Sequence, residues 1–83
     1  MPIPRITLYT KPNCPLCDEA LEQIEIARQR VACELSQVNI LSDPATYERY
    51  QHEIPVVLLD GKEIFRYRLT TEALLEILCG ETR

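Results

Sequence analysis

Short apolar runs alternate along this chain with two stretches of helical periodicity. From Arg5 to Thr10, Ile6 and Leu8 alternate with Thr7 and Tyr9, a period of two that predicts a strand. Pro2 and Pro4 precede it, where a missing N–H does no harm. Pro12-Asn13 breaks the strand, and Pro15 suits the first turn of a helix, whose N–H groups lack partners anyway. Beyond Cys17 the apolar positions are Ala20, Leu21, Ile24, Ala27 and Val31, which share one helical face. Asp18, Glu19 and Glu22 crowd its start, and Arg28 and Arg30 its end, the favourable polarity for a helix dipole.

Cys33 to Ile40 predicts a second, more polar strand that buries Leu35, Val38 and Ile40. Asp43 can cap a short helix with Pro44 at its first position and with Tyr47 and Tyr50 on one face. That helix must end before Ile54, because a residue preceding proline is pushed out of helical geometry. Val56 to Leu59 is an unbroken apolar run and reads as a buried strand. Asp60-Gly61 is a two-residue hairpin turn, after which Lys62 to Arg66 returns with Ile64 inward. Thr70 caps a last helix, Leu69 and Leu74 can staple its start, and Leu74, Leu75, Ile77 and Leu78 form its apolar side up to Gly80.

The resulting order is β-α-β-α-β-β-α. The strand–helix–strand opening implies a parallel pair with a right-handed crossover, and the hairpin adds an antiparallel pair. A four-stranded mixed sheet with helices on both faces buries these elements economically, as one α/β domain over residues 1–83.

Composition narrows the function. The net charge is −4, and one Phe, four Tyr and no Trp offer no aromatic platform between basic residues, which argues against a nucleic-acid partner. No apolar stretch nears the roughly 20 residues needed to span a bilayer, so no membrane partner is expected. The N-terminus lacks the charged-then-apolar signature of a signal peptide, and the expected location is the cytoplasm. Four cysteines in a reducing compartment read as catalytic or metal-binding rather than as a scaffold. Cys33 and Cys79 stand apart and read as buried small side chains, so a zinc ribbon of two knuckles is not encoded and no metal ligands are assigned.

Cys14 and Cys17 remain, three residues apart where a strand hands over to a helix. One helical turn brings both thiols to the same side. Cys14 is expected to face solvent and to attack a substrate disulfide as thiolate. Cys17, more buried, is expected to attack the mixed disulfide and release the reduced product. Free N–H groups at the helix start and the charge of Lys11 favour the thiolate of Cys14, whereas Asp18 and Glu19 oppose it. Ile54-Pro55 is a candidate cis peptide. Set against Cys14, it would leave the backbone of Ile54 to pair with an extended substrate. The alternative is a binding module, such as an iron–sulfur carrier that shares a cluster between two chains through these thiols.

The run Tyr9-Thr10-Lys11-Pro12-Asn13-Cys14-Pro15-Leu16-Cys17, then Ile54-Pro55 and Asp60-Gly61-Lys62, resembles the glutaredoxins within the thioredoxin fold. The resemblance covers nearly the whole chain. It implies thiol–disulfide oxidoreductase activity, with Cys14 as nucleophile and Cys17 as resolving thiol. Lys11, Leu16, Ile54 and Pro55 would then bind substrate. It implies a monomer that needs no cofactor, acts on a protein or small disulfide and draws electrons from a reductase or from glutathione. Leu16 stands where typical glutaredoxins carry tyrosine. Phe65-Arg66 and Arg68-Leu69 stand where they carry the glycine pair and the paired aspartates that hold glutathione. The resemblance is therefore to a short, atypical glutaredoxin-like branch.

Overall fold

The computed structural model describes residues 3–81; the expectation for Pro2 lies outside them. The strands are β1 (Arg5–Thr10), β2 (Glu34–Asn39), β3 (Val56–Leu59) and β4 (Lys62–Arg66). The helices are α1 (Pro15–Arg28), α2 (Pro44–Tyr50) and α3 (Thr71–Glu81), with a 3-10 turn at Ile40–Ser42 before α2. The strands form one sheet in the order β2-β1-β3-β4. β1 and β2 run parallel, with Ile6 opposite Leu35, which the crossover through α1 makes possible. β3 is antiparallel to both of its neighbours.

Alternation along β1 and β3 divides the apolar side chains between two faces. Ile6, Leu8, Val57 and Leu59 join Ala20, Ile24 and Ala27 of α1 and Leu74 and Leu78 of α3 in the larger cluster. The intervening residues Tyr9, Val56 and Leu58 meet Cys17, Ile40, Tyr50 and Ile54 in a second, smaller one. Fully burying a residue such as Ile24, Leu74 or Leu78 stabilises the fold by about 1.5–3 kcal/mol each. Exposed ion pairs such as Arg5–Glu34 contribute about 0–1 kcal/mol, so helix-on-sheet packing, not surface charge, holds the domain together.

Local signals act where they were expected. Asp43 caps α2, its carboxylate accepting from the Ala45 N–H at 3.2 Å and the Thr46 hydroxyl at 2.8 Å. Thr70 caps α3 through the Ala73 N–H at 3.1 Å, between buried Leu69 and Leu74. At the hairpin, Asp60 (φ 51) and Gly61 (φ 87) both take the left-handed backbone that a tight two-residue turn demands. Asp60 also accepts from the Arg5 N–H and donates its own N–H to the Arg5 carbonyl, which binds the turn to β1.

Four details depart from expectation. The pairing of β3 with β4 slips by one residue, so Val57 faces Phe65 but Leu58 faces Glu63. Ile64 is the extra residue of this bulge, and both Ile64 and Phe65 pack on the larger cluster, which regular alternation forbids. Tyr50 is buried but Tyr47 is 40% exposed, because a seven-residue helix offers the sheet only one tyrosine. Cys79 is exposed, on the outer side of α3, whereas Cys33 is buried. Finally, α3 continues through Gly80 to Glu81; an interior glycine weakens a helix without ending it.

Candidate active site

β1 delivers Thr10 and Lys11 to one end of the sheet. Pro12-Asn13 then turns the chain with Asn13 at φ 60, a conformation asparagine tolerates better than most residues. Cys14 follows in extended geometry and is itself the N-cap of α1. Its Sγ accepts the Cys17 N–H at 3.3 Å, where a serine or aspartate oxygen commonly sits in other helices. The positive end of the helix is thus aimed at the sulfur of Cys14. The Cys17 thiol lies 2.6 Å from the same sulfur and donates to it. Cys14 is half-buried and Cys17 is buried.

Burial pushes the Cys17 thiol up from its ordinary pKa. Its hydrogen bond to Cys14 and the charge of Cys14 push the same way. The Thr10 side chain and the Lys11 backbone, by hydrogen bonding to the Cys17 sulfur, pull it down. Thr10 was not singled out in the sequence, and the only available signal was a hydroxyl at the last position of the strand before the cysteines. Lys11 reaches Cys17 through its backbone, while its side chain is exposed.

The Ile54–Pro55 peptide bond is cis. Ile54 shares the smaller apolar cluster with Cys17, and Cys14 packs against it. Tyr50 closes that cluster by stacking on Tyr9, with centroids 4.9 Å apart, and Arg49 lies over its ring at 5.2 Å. Neither the N–H nor the C=O of Ile54 takes part in the backbone hydrogen bonds of the described loops and caps. The Pro55 carbonyl accepts the Tyr67 N–H at 2.8 Å, which pins the loop after β4 to this proline.

Leu16 is half-buried and belongs to neither apolar cluster. It lines a cleft of about 380 Å³ with Ala20 and Leu69, flanked by Glu19 and Glu22 on α1 and by Tyr67 and Arg68 on the loop. The structure therefore gathers Cys14, Cys17 and Ile54 in one cluster, while Leu16 lines a cleft outside it. Arg66 belongs elsewhere, paired with Glu53 at 3.2 Å and with Glu63. His52 is exposed in the turn after α2.

A mixed sheet in this strand order, with a cysteine pair at the junction of its first strand and first helix, is the thioredoxin fold in an α/β domain. Such a pair supports chemistry of a redox type. The chain belongs to the glutaredoxin-like family: the family model described as Glutaredoxin-like domain (DUF836) matches residues 5–78. It is 25% identical over 75 residues to a Dictyostelium discoideum protein named glutaredoxin-like protein YDR286C homolog, covering 83% of this chain and 69% of that one. It is 29% identical over 77 residues to a thioredoxin of Methanocaldococcus jannaschii, covering 89% of this chain and 91% of that one. Among solved structures, the X. campestris structural-genomics target XcR50 superposes with a TM-score of 0.77 at 30% identity, covering 90% and 96% of the two chains. No helix among the described residues is long and apolar enough to cross a membrane.

Proposed function

We propose that this protein is a thiol–disulfide oxidoreductase that reduces a protein or low-molecular-weight disulfide in the cytoplasm, acting as a monomer. The observation that carries the reading is the 2.6 Å contact between a half-buried sulfur at a helix N-terminus and a buried one a turn later. In the first step the Cys14 thiolate attacks one sulfur of the substrate disulfide. That bond breaks, one substrate thiolate leaves and takes up a proton, and Cys14 is joined to the other half. In the second step Cys17 loses its proton and attacks the Cys14 sulfur. The mixed disulfide breaks, the second substrate thiol leaves, and a Cys14–Cys17 disulfide remains. Two electrons have passed to the substrate, and a reductase or glutathione returns them. No metal or other cofactor takes part.

The causes that act on Cys17 support this order. Two of the three that hold its proton come from Cys14 and vanish once Cys14 is capped by substrate. Thr10 and the Lys11 backbone then oppose burial alone, so the resolving thiol is released when its target forms. Ile54 and Pro55 would seat an extended substrate through the free backbone of Ile54. Leu16 gives that substrate an apolar wall, and the Lys11 ammonium meets a carboxylate on it.

The test is to trap the intermediate. Cys17→Ser, incubated with a peptide disulfide, is expected to retain one half of the peptide on Cys14 by intact mass and peptide mapping. Absence of any adduct on Cys14 would overturn the reading.

A further inference from the structure

Tyr67 stands in the wrong conformation for a tyrosine. Its φ is 66, in the left-handed region that glycine occupies without penalty and a bulky residue rarely enters. The other non-glycine residues there, Asn13 and Asp60, are of the types that tolerate it. Two hydrogen bonds fix the geometry. The Tyr67 N–H reaches the Pro55 carbonyl at 2.8 Å, and the Arg68 N–H closes back on the Arg66 carbonyl at 2.7 Å, a tight turn centred on Tyr67.

Both bonds are made by the backbone, and a glycine would make them as well. The side chain belongs to neither apolar cluster, takes no part in the aromatic stacking, and is 50% exposed. Among the described residues neither apolar cluster nor the tyrosine stack uses the ring, and the backbone disfavours it. A residue held against its preference at a cleft that Leu16, the residue before Cys17, also lines calls for a functional explanation.

We propose that Tyr67 is a specificity residue for polypeptide disulfides whose reactive cysteine is flanked by an apolar side chain. This rests on the exchange reading above. The cleft it lines has an apolar floor of Leu16, Ala20 and Leu69, and Leu16 lies between the two cysteines. A substrate joined to Cys14 lays its neighbouring side chain across that floor, with the tyrosine ring as the outer wall. The charged residues of the cleft, Glu19, Glu22 and Arg68, are of both signs, so the apolar floor decides: glutathione disulfide, whose cysteines are flanked by no apolar side chain, gains nothing from it.

The experiment compares symmetrical peptide disulfides that carry leucine or serine immediately before the cysteine, by their second-order rate of oxidising the reduced protein. Wild type should favour the leucine peptide about tenfold, the low end of what one apolar contact discriminates. Tyr67→Gly should cut that preference to within about twofold while its melting temperature holds or rises, and Tyr67→Phe should keep it. The proposal is overturned if Tyr67→Gly keeps the preference, if its melting temperature falls so that the ring is structural, or if glutathione disulfide reacts as fast as the leucine peptide. If wild type reacts with neither peptide and Cys17→Ser forms no adduct on Cys14, the exchange reading itself is overturned instead.

Discussion

The Cys17 thiol donates to the sulfur of Cys14 across 2.6 Å, and this contact makes the state of the second cysteine depend on that of the first. Burial leads the forces that keep Cys17 protonated, and in the proposed exchange it would outlast the first step while the Cys14 contribution would not. The hydrogen bond from the Thr10 side chain then becomes decisive. Thr10→Val should slow the second step severalfold near neutral pH and move its pH dependence upward, so that the substrate–Cys14 adduct accumulates in quenched reactions. An unchanged adduct lifetime would remove Thr10 from the mechanism.

The same burial sets a pH dependence of stability. The Cys17 and Cys33 thiols are both raised in the folded state, desolvation being the first cause for each. Above the unfolded thiol value of about 8.5 the native state holds more protons than the unfolded chain. Their contribution is therefore full below that pH and is lost as pH rises through the folded values. Urea midpoints of the reduced protein should fall between neutral and alkaline pH, and Cys33→Ala should flatten the slope. A slope that the substitution leaves intact would contradict the assignment.

Gln23 joins the two helices on the larger-cluster face. Its side-chain carbonyl accepts the Thr71 N–H at 2.9 Å and the Thr71 hydroxyl at 2.5 Å. Gln23→Leu leaves the first turn of α3 without that acceptor in a partly buried place and should cost about 1–3 kcal/mol by urea unfolding.

Core and surface should separate cleanly. Leu74 is fully buried between α3 and the sheet, and Leu74→Ala should cost about 2–5 kcal/mol, a large share of a small domain's stability. Arg5→Ala breaks an ion pair between side chains that are 65% and 57% exposed and should cost no more than about 1 kcal/mol. Comparable losses in the two variants would mean that surface charge contributes more than the packing suggests.

Exchange and cluster binding predict different protein in the tube. Purified anaerobically, the protein should be colourless and should form a reversible Cys14–Cys17 disulfide. Visible absorption that disappears in Cys14→Ser would point to an iron–sulfur centre instead.

The element order, the caps at Asp43 and Thr70 and the hairpin at Asp60-Gly61 could be read directly, because each rests on residues adjacent in sequence. The cysteine pair was legible for the same reason: three residues at a helix start fix which side both sulfurs take. The bulge at Ile64 was not, since a slip of register depends on how two strands meet. Nor was the division between Tyr47 and Tyr50, three apart on one short helix, because only the sheet beneath decides which ring finds Tyr9.

The amino-acid order by itself determined that two thiols would stand at the junction of β1 and α1, with a proline-led strand to follow. Local sterics and hydrogen bonding suffice for that. Only the tertiary structure decided what surrounds them: Thr10 within reach of Cys17, Ile54 in its cluster, and Tyr67 held by the Pro55 carbonyl at the edge of the Leu16 cleft. Those relationships join residues from 7 to 51 positions apart, and their geometry follows from sheet pairing and packing rather than from any local preference.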